Sequence, residues 1–69
     1  MTNTKLLEEK IKLCGKKKSH LADICGLSRA GFYNCMTNLA EFKTSQVDAL
    51  CLELGITSLR EKEAIFFAK

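Results

Sequence analysis

The chain has 69 residues, of which 46% are hydrophobic and 28% charged, with no proline, four glycines and a net charge of +3. This length leaves room for one domain with one small core, and the composition excludes low-complexity disorder. The longest wholly apolar run, residues 64–68, is too short for a secretory signal or a membrane span, so a soluble, cytoplasmic protein is expected.

The spacing of apolar residues predicts five short helices. The first covers about residues 4–14. Asn3 or Thr2 caps its start, Gly15 follows its end, and Leu7, Ile11 and Cys14 form one apolar stripe. The second covers about residues 18–25, with Leu21, Ile24 and Cys25 facing inward and the small Ala22 where a neighbouring helix must cross closely. Gly26 suits a turn with positive φ, and Leu27 plugs the angle beyond it. The third opens at Ser28, a good N-cap, and continues to about Thr37.

Residues 38–43 read as a loop. The fourth helix starts with Thr44 or Ser45 as cap, carries Val47, Leu50, Cys51 and Leu54 on its core face, and ends at Gly55. The fifth begins at Ser58 with Glu61 three residues on, a capping box, and carries Leu59, Ile65, Phe66 and Phe67. The expected architecture is all-α, a compact five-helix domain over residues 1–69.

Charge is uneven along the chain. Residues 10–43 hold seven basic residues (Lys10, Lys12, Lys16, Lys17, Lys18, Arg29 and Lys43) against Asp23 and Glu41, a net +5, and the remainder carries −2. A surface facing a polyanion needs such an excess. The third helix has a matching asymmetry. At about 100° per residue, Phe32, Cys35 and Met36 share one side, while Arg29, Ala30, Tyr33, Asn34 and Thr37 span roughly 0° to 140° of the other. A short helix, a tight turn at Gly26 and a second helix form a helix-turn-helix unit, whose second helix can lie in the DNA major groove.

Leu21, Ala22, Cys25, Gly26, Leu27, Phe32 and Cys35 match the core spacing of that unit in the phage repressor/Cro-type family. The stretch GLSRAGFYN resembles the turn and recognition helix of small repressors from phages and mobile elements of Gram-positive bacteria, and the similarity covers residues 4–56. The resemblance implies sequence-specific binding to double-stranded DNA, usually as a homodimer on a near-palindromic operator, with repression as the commonest outcome. By position it assigns Arg29, Ala30 and Asn34 to base edges, and Lys18, Ser28 and Tyr33 to phosphates. The family often has Gln where Lys18 stands.

The side chains suit those roles. Arg29 can pair with a guanine edge, Asn34 with adenine, and Ala30 with a thymine methyl; a solvated surface Arg and a helix-favouring Ala are the bland alternatives. Lys16, Lys17 and Lys18 are phosphate candidates, supplemented by backbone N–H groups of the second helix, or simply a solvated turn. Gly31 has two open readings: close approach of the backbone to DNA or to the second helix, or a tolerated glycine without a role.

Leu59, Phe66 and Phe67 are the candidates for a dimer contact. Phe66 and Phe67 cannot both point inward on one short helix, so one of them belongs to the core. A different function class stays open, a protein-interaction module of the same fold that binds a partner regulator through helix 5.

The four cysteines form no CxxC pair and the single histidine is His20, so no metal or cofactor is expected. All four read as small apolar core residues. A thiol enzyme needs an exposed thiolate beside a basic group, so no catalytic residue is assigned and the protein is not expected to be an enzyme.

Overall fold

The structure, a computed structural model, describes residues 1–68. Five helices and no strands make up this part of the chain: α1 (Thr4–Cys14), α2 (Lys18–Ile24), α3 (Arg29–Met36), α4 (Thr44–Leu54) and α5 (Leu59–Phe66). None is long and apolar enough to cross a membrane.

The helix ends follow local chemistry. The Asn3 side chain accepts a hydrogen bond from the Leu6 N–H at 3.2 Å, Ser28 Oγ accepts from the Gly31 N–H at 3.0 Å, and Ser58 Oγ accepts from the Glu61 N–H at 3.3 Å. Each satisfies one of the donors left over in a first turn. α4 differs from expectation: its N-cap is Lys43, ahead of Thr44 and Ser45. Lysine offers no acceptor, and Gln46 instead reaches back, its Oε1 accepting from the Lys43 N–H at 2.8 Å. The second and third helices are each trimmed, with Cys25 and Thr37 as their C-caps.

At the α2–α3 corner the chain turns on Gly26, whose φ of 69° would strain a side chain. The Leu27 N–H then donates back to the Ala22 carbonyl at 2.9 Å, which fixes the corner. α2 packs on α3 and α4, and α1 packs on α4 and α5. Leu7, Leu21 and Leu50 are completely buried at the centre, one each from α1, α2 and α4.

Phe42, from the segment read as a loop, joins the core. Its ring meets Phe32 edge-on at 5.9 Å and Phe66 at 6.0 Å, so it ties α3 to α5. Phe66 is only 4% exposed, which removes it from any surface contact; Phe67 (55%) and Leu59 (68%) stay outside. The reading of all four cysteines as core residues also needs correction. Cys35 and Cys51 are buried, but Cys14 and Cys25 sit half-buried at the edge of the core. Their thiols point to the carbonyls of Leu54 (3.3 Å) and Gln46 (4.0 Å), because helix-end positions leave one side of the residue open.

A long-range contact locks the N-terminal segment. Asn38 adopts the left-handed conformation, φ 63°, just beyond α3. Its Oδ1 accepts from the Thr2 N–H at 3.1 Å and its Nδ2 donates to the Thr2 carbonyl at 3.0 Å. The next residue, Asn3, donates its N–H to the Ile65 carbonyl of α5 at 2.6 Å.

Candidate nucleic-acid interface

α3 is held from behind by Phe32, Cys35 and Met36, all buried. That anchorage leaves Arg29, Ala30, Tyr33, Asn34 and Thr37 exposed, the five residues expected on the outward strip. No acidic residue lies on the helix. Tyr33 is 64% exposed, a large ring held in solvent. The Thr37 hydroxyl is turned inward on its own helix, donating to the Tyr33 carbonyl at 3.0 Å, so it closes the C-terminal end instead of reaching outward.

Gly31 gains a physical account. A Cβ there would lie 3.3 Å from Ser28 Oγ and 3.5 Å from a Leu27 methyl. The crowding comes from the cap of its own helix and not from α2. An alanine there would require the Ser28 hydroxyl to give way by a few tenths of an ångström.

Beside the strip, a groove of about 480 Å³ runs between α3, the start of α2 and α1. Ala22, Phe32 and Met36 form its floor; Glu8, Lys18, Arg29 and Tyr33 are on its rim. Arg29 and Lys18 thus share one groove, whereas Ala30 and Asn34 lie on the part of α3 outside it. Ser28 is exposed; its Oγ accepts the capping bond, which leaves the hydroxyl proton to donate outward.

The lysine run, continuous in sequence, divides in space. Lys16 Nζ pairs with Glu53 of α4 at 3.1 Å, and His20 Nε2 meets the same carboxylate oxygen at 3.2 Å. The Lys16 hydrogen bond, aided by His20, holds the Glu53 carboxyl below the usual carboxylate range. Lys18 Nζ pairs with Glu8 of α1 at 2.7 Å. Among the described residues no carboxylate comes within 4 Å of Lys17 or Arg29. Both lysine pairs stay open to solvent, Lys18–Glu8 more than Lys16–Glu53, and ion pairs that water reaches are individually weak, which leaves them exchangeable for another anion. Neither pairing was legible in the sequence, since the partners lie on helices distant along the chain.

Three of the thiols are biased toward their protonated form. Burial, together with neighbouring Cys35, pushes the Cys25 thiol up to about 11, and burial likewise raises those of Cys35 and Cys51. Among the described residues, no three His, Cys, Asp or Glu side chains converge as a metal site. Compared with known proteins, the chain matches no family model, no curated protein and no solved structure.

Proposed function

We propose that this protein is a sequence-specific DNA-binding transcriptional regulator, a repressor of the Cro type in the cytoplasm, in which α2 and α3 form a helix-turn-helix unit. α3 enters the major groove. Arg29, Ala30 and Asn34 read base edges, while Lys17, Lys18 and Tyr33 hold phosphates. Lys16, the remaining phosphate candidate of the run, is engaged with Glu53 and His20 on the α4 side and does not line the groove beside α3.

One observation carries the reading. The outer strip of α3 is free of acidic residues and bears an amide, a phenol and a guanidinium that has no carboxylate partner among the described residues, while its inner side is locked into the core. An ordinary solvated helix has no need of that combination. Size adds a constraint on stoichiometry. The longest dimension of the chain is 28 Å, and two half-sites on one face of a duplex lie about 34 Å apart. One copy reads one half-site, and a near-palindromic operator takes two.

Arg29→Ala tests the assignment in a gel-shift competition between selected and random duplex. The expected result is a loss of discrimination at one base position, about 1–3 kcal/mol for a bidentate guanine contact. Lys17→Ala should weaken all duplexes alike and lower the salt slope by about 1. Unchanged sequence preference in Arg29→Ala would refute the placement of α3. Exposed Leu59 and Phe67 favour one other reading, docking of a partner protein on α5; negligible binding to random duplex at low salt would select it.

A further inference from the structure

We propose that Glu8 acts as an electrostatic brake on DNA binding: its carboxylate occupies the ammonium of Lys18 and sets both the strength and the salt dependence of the complex. The inference rests on the DNA-binding reading and adds to it a residue of α1, outside the helix-turn-helix unit.

The groove beside α3 is lined by two cations, Lys18 and Arg29, and by one carboxylate, Glu8. Arg29 has no acidic partner among the described residues, but Lys18 Nζ lies 2.7 Å from Glu8 Oε1. Both side chains are about half exposed, 55% for Lys18 and 47% for Glu8, so an incoming phosphodiester has access to the pair. For Lys18 to contact a phosphate oxygen, it must leave Glu8 or share its protons between two anions. After the exchange the Glu8 carboxylate faces the polyanion from the same rim, with its own counter-charge withdrawn. Binding therefore works against both a lost ion pair and a like-charge contact.

Glu53 provides an internal comparison. It also holds a lysine of the same run, Lys16 at 3.1 Å, yet neither Glu53 nor Lys16 lines the groove. Neutralising Glu53 raises the net charge as much as neutralising Glu8, without touching the rim. Position, not net charge, separates the two.

The test uses the full chain and a fluorescently labelled random-sequence duplex, with anisotropy titrations over a series of KCl concentrations. Native protein is compared with Glu8→Gln, Glu53→Gln, Lys18→Gln and the double variant Glu8→Gln with Lys18→Gln. Thermal melts confirm that each variant is folded. Glu8→Gln should bind about fivefold tighter at the lowest salt, the scale of one exposed ion pair, with a salt slope steeper by about 0.9. Glu53→Gln should give less than half of that gain. The Glu8→Gln gain should shrink when Lys18 is already Gln.

Equal or weaker binding by Glu8→Gln, or an equal gain from Glu53→Gln, overturns the brake while leaving the DNA-binding reading intact. A native chain that binds no duplex at low salt overturns that reading and the brake with it.

Discussion

Asn38 joins the end of α3 to the segment that enters α1, and its replacement by alanine should cost a large part of the protein's stability. Two hydrogen bonds to Thr2 disappear, at 3.1 and 3.0 Å in the native chain. At about 0.5–1.5 kcal/mol each, they contribute about 1–3 kcal/mol. Thr2 is only 6% exposed, so its freed N–H and carbonyl do not fully regain water. The φ of 63° adds a backbone cost of about 1 kcal/mol for alanine, which asparagine tolerates better. The total is about 2–4 kcal/mol, set against a stability of about 3–10 kcal/mol for a chain of this length. Urea denaturation followed by circular dichroism measures the loss, and Asn38→Gly separates its two parts. Glycine relieves the left-handed strain but still lacks the amide, so its midpoint should fall between those of the native and alanine proteins. If both variants keep the native midpoint, the Asn38–Thr2 clasp holds nothing together and the account of the N-terminal segment is wrong.

Gly31→Ala should leave stability nearly unchanged in the native background, because the gain of about 1 kcal/mol in helix propensity is opposed by a Cβ 3.3 Å from the capping Ser28 Oγ. In a Ser28→Ala background the obstruction is gone, and the same substitution should recover most of that gain in the urea midpoint; equal effects in both backgrounds would refute the crowding argument. Alkaline pH should destabilise the fold through Cys25. Its thiol ionises near 9.0 in the open chain and at about 11 in the folded protein. The folded state therefore keeps a proton that the unfolded state releases, and stability present below pH 9.0 declines as the pH rises toward 11. Cys25→Ala should flatten this decline in denaturation midpoints measured across that range, and a decline of the same steepness would show that the thiol has no part in it.

The parts of the fold that were legible in the sequence are those with short-range causes. Asn3, Ser28 and Ser58 cap the helices they precede because a capping oxygen needs a donor only two or three residues away. The inner side of α3 followed from phase, since Phe32, Cys35 and Met36 return to the same side of one helix. Lys43 escaped the same logic because the capping group comes from Gln46 behind it, and a lysine at that position carries no signal of its own. Phe42 escaped because a loop has no period to place its side chains, although its ring bridges two helices.

The candidate interface shows the same division more sharply. The polar strip of α3 belongs to one helix and could be read from nine consecutive letters. The charges around it are set by partners ten residues away or more: Glu8 on Lys18, and Glu53 on Lys16 and His20. A run of three lysines reads as one basic patch, yet the fold sends its first member to α4, gives its second no carboxylate partner among the described residues and gives its third to α1. Since a paired lysine serves a phosphate only by leaving its carboxylate or by sharing its protons with it, the working charge of this surface is smaller than its formal charge. The salt dependence of binding would then count the cations that are free or can be freed, not those that are written in the sequence.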